Sequence, residues 1–309
     1  MIKKIILNIA LVGIVVFVLD FAIGRTLRYF YFRESSGLHF RSTYAMEQTR
    51  ADILVFGSSP AVHHYIPELF ESTLNMTFYN TGRDGNGAFY QLAVLKSVLK
   101  RYKPKIIIFD WSDTFKKDVS SYDRISSLLP YYRTHPEIRD IIEYKSKFEK
   151  VKLLSEIYPF NSEVFTIAIG NLNVNKQRKP DNKGFVALYK EWQCKINAII
   201  PNPKYPVDTL KVNSFREFIV LAKEAGVKVF VIYSPMFLKF NRFQEFDICS
   251  KVCAEQKVPI WDCSRDTVFL KNNRLFQDIG HLNYKGAVIF SKQILEKIKT
   301  ENQVKTPTL

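Results

Sequence analysis

Hydrophobic positions fall along the chain in three kinds of run. The first is continuous: between Ile5 and Ile23 only Asn8, Gly13 and Asp20 interrupt an apolar stretch. A run of about 19 residues can just cross a hydrocarbon core of roughly 30 Å, so it predicts a transmembrane helix. The apolar part of a cleaved signal peptide would be shorter, and Ile23-Gly24-Arg25 offers no small-x-small cleavage site, which favours an uncleaved anchor. Lys3 and Lys4 precede the run while Arg25, Arg28 and Arg33 follow it, so flanking charge leaves the orientation open. Four aromatics, Tyr29 to Phe32, suit an interfacial belt directly after the span.

The second kind of run is short, almost wholly apolar and bounded by turn residues: 52–56, 76–79, 105–110, 227–233 and 258–261. Such runs read as buried strands. The third kind has helical spacing. Helices are predicted from Ser59 and Pro60 through Phe70, then over 88–100, 209–225 with Gly226 as its C-cap, 241–256 and 284–299. Five apolar strands separated by helices predict an α/β fold, with a parallel sheet of about five strands covered on both faces. Two stretches break the alternation. Residues 34–50 read as a polar linker, and 114–206, rich in Tyr, Lys and Arg with helical patches, read as an insertion bordering the site. The predicted organisation is an anchor with its interfacial flank over 1–33, the linker, and an α/β domain over 51–309 interrupted by that insertion.

Composition changes this picture in two ways. Across 309 residues, 47% are hydrophobic, ordinary for a globular chain, but the formal net charge is +15. That charge suits an anionic surface: lipid headgroups, acidic glycan or nucleic acid. No nucleic-acid-binding motif accompanies it, so nucleic acid is the least favoured of the three. Of the four cysteines, Cys249 and Cys253 lie i, i+4 and predict one buried helical face, while Cys194 and Cys263 could pair or stay reduced. No spacing fits a four-ligand zinc site, and Gly82-Arg-Asp-Gly85-Asn-Gly87 is neither a Walker loop nor a dinucleotide fingerprint. Neither a metal nor a cofactor is expected.

In parallel sheets ligands bind beyond the carboxyl ends of the strands. Gly57-Ser58-Ser59, the 82–87 loop, Ser112-Asp113 and Asp278-Ile279-Gly280-His281 all belong to that edge. Ser59, on the turn between a strand and a helix N-terminus, is a candidate nucleophile or simply a helix cap, and Ser58 competes with it. Gly85 could let a backbone N–H approach an oxyanion, or merely serve a tight turn. His281 with Asp278 three residues before it is the candidate base with its orienting acid. His63 and His64 read as surface or supporting groups. Asn86, Asp113 and His63 are further candidates for touching substrate.

The order strand–Gly-x-Ser, then Asn-x-Gly-x-x-Gly, then Asp-x-x-His-Leu-Asn-x-x-Gly resembles the SGNH (GDSL-like) hydrolase superfamily, most closely its membrane-anchored DltD-like and AlgX/AlgJ-like branches. The resemblance covers about 50–115 and 205–299. It implies a three-layer flavodoxin-like fold, with Ser59 as nucleophile, His281 as base, Asp278 as its orienting acid, and Ser59 and Gly85 at the oxyanion hole. It also implies an extracytoplasmic domain acting on acyl esters, acetyl above all, of envelope polysaccharide, in company with the bilayer and other envelope-assembly membrane proteins. Two positions depart from the pattern. Ser58 stands where an aspartate is usual, and Asp110-Trp111-Ser112-Asp113 stands where an oxyanion-donating asparagine is expected. Ser112 is the nearest substitute donor. An esterase or O-acyltransferase is the expectation, and an inactive glycan-binding relative the alternative.

Overall fold

The computed structural model describes residues 1–112, 115–172, 182–193, 199–200, 204–237, 239–240 and 244–304. Its strands are β1 (Ile53–Gly57), β2 (Phe78–Asn80), β3 (Ile106–Asp110), β4 (Lys228–Tyr233) and β5 (Ile260–Asp262). Its longer helices are α1 (Ile2–Arg33), α2 (Gly37–Thr43), α3 (Ser59–His64), α4 (Pro67–Leu74), α5 (Ala88–Arg101), α6 (Val164–Leu172), α7 (Thr209–Glu224), α8 (Gln244–Glu255) and α9 (Tyr284–Val304). A separate pair of two-residue strands, Ile199–Ile200 and Lys239–Phe240, runs parallel.

The five strands form one parallel sheet in the order β2-β1-β3-β4-β5. This is the flavodoxin-like order, whose reversal between β1 and β3 opens a crevice at the carboxyl ends. Alternation along each strand builds the layers. Ile53, Val55, Ile106, Ile108, Phe230 and Ile232 pack with Tyr65, Phe70, Phe290, Ile294 and Ile298 on the side of α3, α4 and α9. On the opposite side Phe56 and Phe109 meet Phe218 of α7, edge to face, and α7 packs on α5. The result is the predicted α/β architecture.

The local boundaries differ where proline or tertiary contacts intervene. The helix predicted through Phe70 stops at His64, because Pro67 lacks an N–H and pushes Ile66 into an extended conformation (φ −85°, ψ 113°). A second helix, α4, then begins at Pro67. Residues read as a polar linker are helical instead, in α2 and a following turn over Tyr44–Gln48. The Arg101 guanidinium stabilises that turn by donating to the carbonyls of Ala45, Met46 and Thr49. Cys249 and Cys253 lie on the buried face of α8 and Cys263 is buried just beyond β5, all three as free thiols. Cys194 lies outside the described residues.

Two compact units make up the chain: Met1–Thr43 with Tyr122–Pro180, and Tyr44–Ser121 with Asp181–Leu309. The second holds the five-stranded sheet and every candidate site residue among the described residues. In the first, α1 is long and apolar enough to cross a membrane by length and composition.

Candidate functional site

The end of β1 sets the site. Gly57 has φ +142°, and a Cβ there would stand 2.4 Å from the carbonyl oxygen of Asp110, its register partner at the end of β3. Glycine alone allows the two strand ends to approach so closely. The Gln91 side chain brackets Gly57, accepting from its N–H at 3.2 Å and donating to its carbonyl at 2.8 Å. The chain then enters α3 at Ser59, with Pro60 in the first turn. Pro60 has no N–H and the Val62 N–H donates to the Ser58 carbonyl at 3.2 Å, which leaves the Ser59 and Ala61 N–H groups of the first turn without an intrahelical acceptor.

The histidine arrives on a loop closed by an antiparallel bridge between Phe276 and Leu282 and by Gln277 N–H donating to the His281 carbonyl at 2.9 Å. Inside the loop Asp278 Oδ1 accepts from the N–H groups of Gly280 (2.9 Å) and His281 (3.1 Å). This is an Asx-type turn, the physical reason for the acid–x–x–His spacing. It places both Asp278 oxygens on His281 Nδ1, at 2.8 and 2.9 Å. A carboxylate on Nδ1 makes that nitrogen the donor and leaves Nε2 as an acceptor. Nε2 lies 2.6 Å from Ser59 Oγ, whose hydroxyl donates to it. Burial works against ionisation of Asp278, but the Gly280 N–H and the His281 ring outweigh it and hold the carboxyl below its usual range.

Ser59 and His281 open into a pocket of about 330 Å³, whose wall also includes Ser58, Trp111, Ser112, Tyr233, Met236 and Glu245. That is the small end of the range for ligand sites. Ser58 Oγ and Ser112 Oγ are 2.6 Å apart. One of these hydroxyls donates to the other, so the pair retains a single proton to offer the pocket. Ser112, the expected substitute donor, is thus half of a serine pair. Glu245 Oε2 is buried and has no hydrogen-bond partner among the described residues.

The other predicted residues sit differently. Gly85 has φ +70° and is exposed, and neither it nor the buried Asn86 forms part of the pocket wall. Asp113 lies outside the described residues. His63 packs its ring edge-to-face against His281, centroids 5.6 Å apart, and donates from Nδ1 to the Val186 carbonyl at 2.7 Å. It therefore flanks the histidine and does not line the pocket.

Sequence reasoning missed a buried polar chain beneath the site. His64, read as a surface or supporting group, is fully buried. Its Nε2 accepts the Leu282 N–H at 2.9 Å, which leaves Nδ1 to donate to Ser234 Oγ at 3.1 Å. Ser234 and Tyr65 in turn donate to Asp110 Oδ2 at 2.5 and 2.7 Å. Burial holds His64 well below its usual value, helped by His281 and His63, so it is the neutral ring this pattern needs. Asp110 shares its sheet face with Ile106 and Ile108, which is why it meets Tyr65. A carboxylate ending an otherwise apolar strand was the available signal. A second missed element is the strap 182–193. Val186 N–H donates to the Val62 carbonyl, Trp192 N–H to Phe276 and Tyr284 N–H to Leu188, tying α3 to both flanks of the histidine loop.

Comparison with protein-family models yields no match, and no curated protein matches the chain. Among solved structures the chain is similar to a "putative acylhydrolase" from Bacteroides fragilis, at 11% sequence identity and a TM-score of 0.41, over 87% of this chain and 99% of that one. The fold assignment rests on the strand order and register of the sheet itself.

Proposed function

We propose that this protein is a membrane-anchored serine esterase or O-acyltransferase of the SGNH type, acting on small acyl esters of cell-envelope glycans. The observation that carries the proposal is the unbroken line Asp278–His281–Ser59, with donor and acceptor roles fixed at each joint. Ser59 Oγ attacks the ester carbonyl and passes its proton to His281 Nε2. Asp278 holds the ring in the required tautomer and stabilises the imidazolium that forms. The oxyanion is met by the Ser59 N–H and the remaining proton of the Ser58–Ser112 pair, while Gly85, the donor the resemblance implies, stands outside the pocket wall. Collapse breaks the ester C–O bond, and His281 returns the proton to the leaving sugar oxygen. The acyl-serine is then attacked by water in an esterase, or by a second sugar hydroxyl in a transferase.

The small pocket supports a short acyl group such as acetyl, and the unpartnered Glu245 oxygen supports a hydroxyl-bearing substrate. The apolar α1 and the net charge of +15 support attachment at an anionic bilayer. An extracytoplasmic site rests on the family resemblance. One observation favours an inactive glycan-binding relative instead: a serine pair stands where the asparagine donor is expected. The test is acetate release and acetyl transfer from an O-acetylated glycan by full-length protein in detergent. Both are expected to vanish in Ser59→Ala, and equal rates in the two proteins would sink the proposal.

A further inference from the structure

Asp20 is the acid in an otherwise apolar span, and the catalytic reading gives it no role. It caps the neighbouring loop. Its carboxylate accepts from the Ser155 hydroxyl at 2.5 Å, the Glu156 N–H at 2.7 Å and the Ile157 N–H at 3.3 Å. One turn later Gly24 lies against the same loop, where a Cβ would come within 2.3 Å of the Glu156 backbone. Residues 155–157 are therefore pinned to α1 at the level of residues 20–24, where the apolar run Ile5–Ile23 ends.

The segment leading into this pinned loop is amphipathic. Phe148, Val151 and Leu154, at helical spacing, are 56, 66 and 77% exposed, while Glu149 and Leu153 on the other side are buried. Lysines 147, 150 and 152 interleave with the apolar residues, and the Lys147 ammonium lies over the Phe148 ring at 4.9 Å. Exposed apolar side chains among cations suit the boundary of an anionic bilayer. Arg25, stacked over Phe21 at 5.2 Å, adds charge at the same level of α1.

We propose that Phe148, Val151 and Leu154 insert into the headgroup–acyl boundary of an anionic membrane, a second attachment beside α1 contributed by the central insertion. The proposal rests on α1 being the membrane anchor. It fixes the depth of the loop through Asp20 and Gly24, and it gives three exposed apolar side chains an occupant continuous with the span.

The test uses full-length protein in phosphatidylcholine nanodiscs with and without phosphatidylglycerol. Tryptophan is introduced singly at Ile14, Val151 or Leu154, all exposed, and quenched by brominated acyl chains against the parent's native tryptophan signal. Leu154→Trp and Val151→Trp are expected to lose their added fluorescence to shallow bromines, at a depth of roughly 5–10 Å below the headgroups. The loss should grow with phosphatidylglycerol and lose that dependence in Lys147→Gln/Lys150→Gln. Quenching of Ile14→Trp with none at either loop position overturns the inference and leaves the anchor standing, and a blue-shifted but unquenched loop tryptophan assigns the face to a protein partner. An unquenched Ile14→Trp removes the anchor and the inference with it.

Discussion

Asp278→Asn isolates the tautomer argument from the fold. Asp278 Oδ1 accepts two backbone N–H groups that shape the loop, and Oδ2 faces only the imidazole. Asparagine keeps the first oxygen and puts an NH₂ group where Oδ2 stood, 2.9 Å from His281 Nδ1. The retained Oδ1 still lies 2.8 Å from Nδ1, but the carboxylate's charge is gone and the NH₂ can only donate, which favours the tautomer with Nδ1 as acceptor and the ring proton on Nε2, facing Ser59. The base is then lost while the loop is retained. The equivalent change in a serine protease lowers kcat by about 10⁴, and four decades correspond to about 5.4 kcal/mol of transition-state stabilisation. The assay is hydrolysis of a p-nitrophenyl acetyl ester, with thermal melting to establish that the variant is folded. A folded Asp278→Asn retaining more than about a tenth of wild-type kcat, a deficit of only 1.4 kcal/mol, would refute the role given to Asp278.

Two further outcomes follow from the strand ends. Gly57→Ala forces a Cβ to 2.4 Å from the Asp110 carbonyl oxygen at a φ of +142°, which should cost more than about 3 kcal/mol or prevent folding; chemical denaturation measures it, and wild-type stability would contradict the close approach. Burial lifts the Asp110 carboxyl to about 7, against the lowering effect of its bonds from Ser234 and Tyr65. The folded state therefore keeps a proton that the unfolded chain releases near pH 4, and this contribution is full below that pH and lost as pH rises through about 7. Relative to Asp110→Asn, the wild type is expected to lose up to about 4 kcal/mol of stability between pH 4 and 7. Melts across that range check it, and a difference independent of pH would contradict it.

The sheet was legible because its strands are short apolar runs with alternating faces, a signal that survives any packing detail. Boundaries set by one covalent fact, such as Pro67 ending α3, were legible in principle and were overrun by helical spacing that continues through Phe70. The loop of His281 was legible because its hydrogen bonds are local: Asp278 and His281 lie three residues apart. Its proximity to Ser59 followed from both segments belonging to one sheet edge. The Asp110–Ser234–His64–Leu282 chain was not legible, since its partners lie 124 to 218 residues apart and nothing local to His64 says which face of a one-and-a-half-turn helix is covered. The strap 182–193 left no mark for a different reason: its backbone bonds carry no side-chain signature, and side-chain partners such as Glu71 for Lys183 and Lys285 for Glu191 lie 112 and 94 residues away.

The central claim is that Ser59 is a nucleophile activated by His281. A fluorophosphonate reacts with such a serine, and peptide mass spectrometry locates the adduct. The account predicts stoichiometric label on Ser59, lost in Ser59→Ala and in His281→Ala. Label on Ser58, or no label on folded wild-type protein, would contradict it.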